Sequence, residues 1–271
     1  MLTFIKEIGC GMLYHTGLSR LPRFNTRILT YHKANPKYFE AQIAYLAKNY
    51  KTVALRDIFT EQGNAVVVTF DDGYVNNLQH AYPILKKYNV PATIFVGYNF
   101  IENNEFAWWD RLEHSGKKYD INKLKRLDQD AMEKEVFNIT GLKKESKKPK
   151  EDDFMSWRDI NKISDVFEIG SHTISHPILT NIKIEEAKRE IFFSRKKISD
   201  KIGRNVISFA YPNGSCNTQL AQLVRQAGYK FAVHMQNGNN NPDSNRFMLN
   251  RRGVNIKDSL SIFAAKVAGL F

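Results

Sequence analysis

The sequence has few cysteines and no long apolar run. Two cysteines, Cys10 and Cys216, occur in 271 residues. They form no CxxC pair, which excludes a disulfide framework and a zinc knuckle and favours a reducing compartment. No stretch approaches the ~20 apolar residues of a membrane-spanning helix. No internal repeat is present. With 42% hydrophobic and 25% charged residues, the composition is that of a globular protein.

Acidic residues are the minority charge, with 28 Asp and Glu against 40 Lys and Arg and a net charge of +12. Such a charge favours anionic partners in general. The basic residues are scattered, however, and they form no stripe interleaved with aromatic residues of the kind that single-strand nucleic-acid binders use. We therefore predict a solvated basic surface and no nucleic-acid partner.

Residues 1–26 form a basic, partly amphipathic segment. Charged residues interrupt its apolar runs, so it lacks the apolar core and cleavage site of a secretory signal, and we expect a cytoplasmic protein. The segment either docks on its own domain or contacts the inner membrane face peripherally. Residues 27–271 are expected to form one domain, with a charged insertion at about residues 102–153.

Short β-type runs alternate with amphipathic helical patterns after residue 26. The runs occupy residues 27–31, 52–55, 65–70, 91–96, 167–170, 206–211, 230–235 and 247–249. The longest helical pattern covers residues 184–202 and stops at Gly203, as helices often do. This alternation predicts parallel βα units, and hence an α/β fold that is a distorted barrel of about seven parallel strands.

A pair of carboxylates follows the most apolar of these runs. The run TFDDG at residues 69–73 places Asp71 and Asp72 at the end of a strand expected to be buried on both faces. Two adjacent carboxylates in such a place are costly unless a cation or a shared proton relieves them. The alternative is an ordinary exposed turn, for which Asp-Asp-Gly is common.

Two histidines follow another predicted strand. In the run SHTISHP at residues 171–177, His172 and His176 are four residues apart and can reach one metal ion, and imidazole suits zinc. A third run, FAYPNG at residues 209–214, also follows a strand. Reacting groups of parallel barrels gather at the carboxyl ends of strands. One aspartate with two histidines would leave an open coordination position, as in catalytic zinc sites.

Together the three runs resemble the polysaccharide deacetylase family, the NodB-homology or family 4 carbohydrate esterase group, in order and spacing. The resemblance extends from about residue 27 to about residue 254. It implies a TIM-like barrel, a divalent metal and removal of N-acetyl or other acyl groups from a sugar in a polysaccharide or glycan precursor. The catalytic domain would then be residues 27–271, and the substrate an N-acylated glycan or a lipid-linked sugar.

The resemblance also implies roles for individual residues. Asp71 resembles the general base of the family, while Asp72, His172 and His176 resemble its metal ligands. The metal expected is Zn²⁺, with Co²⁺, Ni²⁺ and Mn²⁺ as alternatives. Water activated by the metal would attack the acyl carbonyl while Asp71 accepts a proton.

Two residues of the third run are expected at the substrate. A backbone N–H near Asn213 is the candidate for stabilising the oxyanion, since Pro212 has none, and Tyr211 is expected beside the substrate because of its position. Four other aromatic residues are candidate sugar platforms, although as a group they are more typical of core residues. They are Tyr74, Trp108, Trp109 and Trp157.

The sequence departs from the family pattern at two points. Many members carry an arginine in the third run that orients the base, and here Arg251 or Arg252 from another strand is the replacement we consider. The usual late histidine acid is missing as well. We therefore predict His32, at the end of an early strand, as general acid, with His234 as second choice. A structural role is the alternative for both.

Two other functions remain open at this stage. A metal amidase acting on a non-sugar amide would use the same chemistry on a similar barrel. A glycan-binding relative without turnover would keep the fold, although the intact Asp71, Asp72, His172 and His176 speak against it.

Overall fold

The computed structural model describes residues 26–60 and 65–269, so the predicted N-terminal segment lies outside the described residues except for its last residue. Nine strands occur in the described part of the chain. They are β1 (Arg27–Tyr31), β2 (Lys51–Thr52), β3 (Ala65–Asp72), β4 (Ala92–Val96), β5 (Phe167–Ser171), β6 (Ser208–Ala210), β7 (Phe231–His234), β8 (Leu249–Asn250) and β9 (Arg252–Gly253).

The α-helices lie mostly between these strands. They are α1 (Pro36–Asn49), α2 (Tyr82–Lys87), α3 (Tyr98–Asn103), α4 (Trp108–Ser115), α5 (Ile121–Leu124), α6 (Gln129–Thr140), α7 (Trp157–Lys162), α8 (Ile184–Ile202), α9 (Thr218–Gln226) and α10 (Leu260–Ala268). Helix α8 ends at Gly203, whose φ of 68° is the left-handed conformation typical of a helix end. Within the described ranges, none of the helices combines the length and apolarity needed to cross a membrane.

The strands form one parallel sheet that nearly closes into a barrel. Their order is β8-β7-β6-β5-β4-β3-β1-β9, and β2 pairs with the first two residues of β3. The strands β8 and β9 lie at opposite edges of this order, yet only Arg251 separates them in sequence. A single extended segment therefore bridges the two edges. The predicted distorted α/β barrel is confirmed. The divided last segment and the short β2 together account for the nine strands observed against about seven predicted.

The predicted strand at residues 52–55 is shorter than expected and ends in a turn. Residues 52–55 were expected to be extended, but β2 ends at Thr52 and a 3₁₀ turn occupies Leu55–Asp57. The Val53 N–H still donates to the Val66 carbonyl, so the chain leaves the sheet just after this point. The turn then buries Leu55 in the apolar cluster that includes Val67. The prediction of a strand over residues 52–55 was therefore wrong beyond Thr52.

Alternate residues of the strands face the barrel interior. A small apolar cluster fills it, with members from six strands: Ile28, Val67, Phe95, Ala210, Val233 and Leu249. Because side chains alternate along a strand, the next inward positions lie one layer closer to the carboxyl ends. Those positions are polar and buried: Thr30, Thr69, Asp71 and Arg251. The barrel thus changes from apolar to polar at the end where the three sequence motifs lie.

The segment between β4 and β5 carries helices α3 to α7. It has an apolar cluster of its own, formed by Trp108, Leu112, Leu124, Met132 and Val136. Its last part returns to the turn after β3, where the Met155 N–H donates to the Gly73 carbonyl and the Val75 N–H donates to the Asp153 carbonyl. The predicted insertion is therefore attached to the turn that carries the two aspartates.

Candidate active site

At the end of β3 the side chains of the two aspartates point in different directions. Asp71 keeps the inward direction of the strand, whereas Asp72 has a φ of 72° and Gly73 a φ of 90°. A left-handed backbone at a residue other than glycine costs about 1–2 kcal/mol. At Gly73 a Cβ atom would also lie 2.9 Å from Ile101 Cδ1. Glycine at this position therefore allows the sharp turn after Asp72.

Asp72, His172 and His176 form a buried cluster. Asp72 Oδ1 lies 3.7 Å from His172 Nε2 and 3.5 Å from His176 Nε2. One ligand atom from each residue lies within 4.8 Å of the others, so the three can hold a metal ion. They are the three residues that the resemblance implied as metal ligands, and the end of β3 and the turn after β5 bring them together.

Hydrogen bonds and backbone conformation orient the two histidines. His172 Nδ1 lies 2.7 Å from the Ala210 carbonyl, which only accepts, so Nδ1 carries the proton and Nε2 keeps its lone pair. His176 has a φ of 58°, and its backbone N–H donates to Thr173 Oγ1. Within the described residues, neither carboxylate oxygen of Asp72 has a hydrogen-bonded partner. A buried carboxylate without donors fits a cation ligand.

Burial dominates the electrostatics of these ligands. It lowers the pKa of His172 to about 4, and it lowers the pKa of His176 well below its usual value, with His172 adding to the effect. Burial also raises the pKa of Asp72 well above its usual value, and the charges of Asp71 and Asp110 add to the effect. The histidines are therefore neutral, as metal ligation requires.

Arg251 holds Asp71 with two hydrogen bonds. Its Nη1 donates to Asp71 Oδ1 at 2.7 Å and its Nη2 donates to Asp71 Oδ2 at 2.9 Å, with both side chains buried. Burial alone would raise the pKa of Asp71, but the charge of Arg251 and its hydrogen bonds outweigh it and lower the pKa. The sequence left Arg251 and Arg252 open, and the structure assigns the contact to Arg251. Arg252 Nη1 donates instead to Asn239 Oδ1.

The two candidate acids lie in different surroundings. His32 follows β1, and its side chain is exposed. Desolvation by the surrounding protein atoms nevertheless lowers its pKa, while the charge of Asp71 opposes this shift. His234 is buried, and both of its ring nitrogens have protein neighbours: Cys216 Sγ at 3.4 Å from Nδ1 and Asn250 Oδ1 at 3.0 Å from Nε2. Of the two, His32 has the ring that a substrate can reach.

The two predicted substrate residues lie on the turn after β6. Tyr211 is fully buried, and its hydroxyl donates to the Phe247 carbonyl. Asn213 is exposed and has a φ of 57°, and its side-chain amide donates to Ser215 Oγ. The structure therefore places Asn213 at the surface of the turn and Tyr211 in its core. The phenol of Tyr211 is used within the protein.

A buried network from the insertion reaches the candidate metal ligands. The Trp109 ring lies 4.7 Å from the His176 ring, and its Nε1 donates to the Tyr74 hydroxyl at 2.7 Å. That hydroxyl donates to Asp110 Oδ2 at 2.6 Å, and Lys33 Nζ lies 3.7 Å from Asp110 Oδ1. Burial raises the pKa of Asp110 to about 6, with Lys33 opposing this.

This network was not predicted from the sequence. Tyr74 and Trp109 were core or sugar-platform candidates, and the structure shows them connected to the candidate metal ligand His176. The signal was the run WWD at residues 108–110 inside an otherwise charged insertion, since buried aromatic residues that carry a polar atom need a partner.

Comparisons with known proteins bear on the family and the fold. A profile of the polysaccharide deacetylase family matches residues 60–232. The Bacillus subtilis protein YxkH is 26% identical over 259 residues, which are 90% of this chain and 76% of that protein. A poly-β-1,6-N-acetyl-D-glucosamine N-deacetylase of Staphylococcus aureus is 22% identical over 229 residues, which are 81% of this chain and 67% of that enzyme. The structure of the Streptococcus pyogenes deacetylase PplD in complex with acetate has the same fold, with a TM-score of 0.66, 20% identity and coverage of 91% of this chain and 99% of PplD.

Proposed function

Because this chain belongs to the polysaccharide deacetylase family, we propose that it hydrolyses an N-acetyl or other acyl group from a sugar of a polysaccharide or glycan precursor. The observation that carries the proposal is the buried Asp72, His172 and His176 cluster beside the Asp71–Arg251 pair. These two features supply the two functions that amide hydrolysis needs, namely a site for an electrophilic metal and a fixed base.

Asp72, His172 and His176 would hold a divalent metal ion. Two neutral imidazoles and one carboxylate are a typical set for catalytic zinc, so we propose Zn²⁺, with Co²⁺, Ni²⁺ and Mn²⁺ as alternatives. When bound, such an ion supplies Lewis acidity, which polarises an acyl oxygen and lowers the pKa of water. The Ala210 carbonyl supports this set by fixing the tautomer of His172.

Asp71 is the proposed base. Its ion pair with Arg251 keeps it ionised at neutral pH, so it can accept a proton from the attacking water. The two hydrogen bonds also fix the plane of the carboxylate, which removes a rotational freedom that the reaction would otherwise have to restrict. Arg251 therefore acts through Asp71 as a positioning residue.

His32 is the proposed acid. The leaving amine must receive a proton as the carbon–nitrogen bond breaks, and the exposed His32 ring is accessible to a bound substrate. His234 remains the second choice, because each of its ring nitrogens faces a protein atom. A backbone N–H near Asn213 is the proposed oxyanion donor, and Tyr211 shapes the turn that carries it through its bond to Phe247.

The substrate class is proposed from the relatives. The staphylococcal relative acts, by its name, on poly-β-1,6-N-acetyl-D-glucosamine, and we propose an N-acetylated glycan for this chain. An amidase acting on non-sugar amides is the second candidate function, because the same metal chemistry is indifferent to the acyl acceptor.

The test is acetate release from β-1,6-linked N-acetylglucosamine oligomers, with a simple N-alkyl acetamide as the substrate without a sugar ring. We expect activity on the oligomers only, and a loss of about 10²–10⁴-fold in Asp71→Asn. The exposed Asp243→Asn is the matched control and should keep full activity. Equal activity on the simple amide would favour the amidase, and an unimpaired Asp71→Asn enzyme would reject Asp71 as base.

A further inference from the structure

The loop that carries the two candidate histidine ligands follows β5 and covers residues 172–177. Two of its residues, Thr173 and His176, have φ values of 71° and 58°. This left-handed conformation is unfavourable for residues other than glycine, and most of all for a β-branched residue such as threonine. Such a backbone persists only where its surroundings enforce it. Contacts from outside the loop are therefore needed to hold it.

The position of His176 depends on this backbone more than the position of His172 does. The ring of His172 is fixed by the hydrogen bond between its Nδ1 and the Ala210 carbonyl. Within the described residues, the buried Nδ1 of His176 has no hydrogen-bonded partner. The ring of His176 is therefore oriented by its packing against Trp109 and by the backbone that carries it. A change in this backbone would move His176 Nε2 relative to Asp72.

Glu190 of α8 accepts three hydrogen bonds from the loop. Its Oε2 accepts from the Ile174 N–H at 2.7 Å and from the Ser175 N–H at 3.0 Å. Its Oε1 accepts from the Ser175 hydroxyl at 2.7 Å. Hydrogen bonds to a carboxylate are stronger than those between neutral groups. One carboxylate thus pairs the backbone N–H groups of both residues that lie between Thr173 and His176.

Helix α3 holds carbonyl groups of the same loop. The Tyr98 N–H donates to the Thr173 carbonyl at 3.0 Å, and the Asn99 N–H donates to the Ile174 carbonyl at 2.9 Å. These N–H groups belong to the first residues of α3, which have no acceptor within their own helix. The loop is therefore fixed at its carbonyl groups by α3 and at its N–H groups by Glu190.

Helix α8 gives Glu190 a defined position. The buried face of this helix includes Ala187 and Ile191, which belong to the main apolar core, and Glu190 lies partly buried beside this face. A side chain on a helix that is packed into the core is held more precisely than one on a loop. Glu190 can therefore impose a fixed geometry on the loop.

We propose that Glu190 is a positioning residue that strengthens metal binding through the loop of His172 and His176. By pairing the Ile174 and Ser175 N–H groups, it stabilises the left-handed backbone that brings His176 Nε2 to 3.5 Å from Asp72 Oδ1. The inference rests on the proposed function in one respect, namely that these histidines are metal ligands.

Zinc affinity tests the proposal, measured by competition with a chelator. The variants are Glu190→Ala and Glu190→Gln, with Glu186→Ala as the control, because Glu186 is exposed and lies one turn earlier on α8. We expect Glu190→Ala to lower zinc affinity about 10–100-fold. Glu190→Gln should lower it less, because the amide oxygen still accepts and the amide NH₂ can donate to the Ser175 hydroxyl. Wild-type affinity in Glu190→Ala, or an equal loss in either of the other variants, would overturn the proposal.

Thermal unfolding distinguishes positioning from a structural role alone. The Tm of each protein is measured with EDTA and at one fixed zinc concentration, since a ligand raises Tm according to its affinity. We expect a smaller zinc-induced rise in Glu190→Ala than in the wild type and Glu186→Ala. A lower metal-free Tm with an unchanged zinc-induced rise would overturn the proposal. If Glu190→Ala does not fold, Glu190→Asp takes its place, because its shorter side chain draws the carboxylate away from the loop.

These measurements need no substrate, so they separate the inference from the proposed function. Weaker zinc binding in Glu190→Ala supports the inference even if no acyl group is released from any sugar. Zinc binding by the wild type that Glu190→Ala leaves unchanged would overturn the inference alone. Failure of the wild type to bind zinc would overturn it together with the proposed metal site.

Discussion

Arg251 and Asp71 show how a single contact decides between two arginines. Arg251 lies between β8 and β9 and points to the barrel interior, where it makes two hydrogen bonds with Asp71. Arg252, the next residue, belongs to the opposite side of the strand and bonds to Asn239. Adjacent residues of a strand face opposite sides, so the register of the segment that carries β8 and β9 decides which of the two arginines faces Asp71.

Replacing Arg251 by lysine should lower kcat. Lysine keeps the positive charge, but it cannot make the paired hydrogen bonds that fix the carboxylate plane of Asp71. Charge-assisted hydrogen bonds contribute about 1.5–3 kcal/mol, so a loss of about 10–100-fold in kcat is expected, with a small change in KM. Steady-state kinetics check this, with Arg252→Lys as the control. Equal rates in Arg251→Lys and the wild type would contradict the positioning role.

Replacing His32 by alanine should remove the basic limb of the pH profile. If His32 donates the proton to the leaving amine, kcat declines as the pH rises through its pKa, because only the protonated ring can donate. The variant should therefore show a lower kcat and no such decline. His234→Ala is the comparison, since that ring already contacts Cys216 and Asn250. A lost basic limb in His234→Ala alone would assign the acid to His234.

At the scale of elements, the site is built from strand ends and the turns that follow them. Asp72, His176 and Asn213 all have positive φ values, of 72°, 58° and 57°, although none is glycine. Such conformations persist only where the surroundings enforce them, and they concentrate at functional sites. The sequence could place these residues after strands, because apolar runs mark the strands. It could not predict the reversed backbone, because the surrounding fold enforces it.

The network from α4 should tune metal binding. Tyr74→Phe removes the hydroxyl that accepts from Trp109 and donates to Asp110, which loosens the ring packed against His176. Removing a group that supports a metal ligand typically lowers metal affinity about 10–100-fold, and we expect Tyr74→Phe to lower zinc affinity about 10-fold. A competitive chelator titration with zinc measures it. The control is Tyr82→Phe, whose exposed hydroxyl accepts from Lys86 far from the site. Equal zinc affinity in both variants would show that the network does not act on His176.

At the scale of the whole molecule, the short segment Leu249 to Gly253 joins the two edges of the sheet and delivers Arg251 to the site. The barrel could be predicted because apolar strands and the polar residues directly after them are local runs, while the resemblance to the deacetylase family implied which of these residues form the metal-ligand set. The closure and the Trp109 network could not be predicted, since these depend on contacts between segments far apart in sequence. Residues 1–25 lie outside the described residues, so the peripheral membrane contact stays a prediction. Binding of the protein to anionic vesicles at low salt would test it.

The proposed function requires that Asp72, His172 and His176 hold one divalent metal ion. Elemental analysis of the purified protein, dialysed after zinc reconstitution, measures this, with the His172→Ala/His176→Ala double variant prepared in parallel. We expect about one zinc per chain in the wild type and none in the variant, with the same circular dichroism spectrum for both. Absence of metal from the wild type after reconstitution, or equal metal in both proteins, would contradict it.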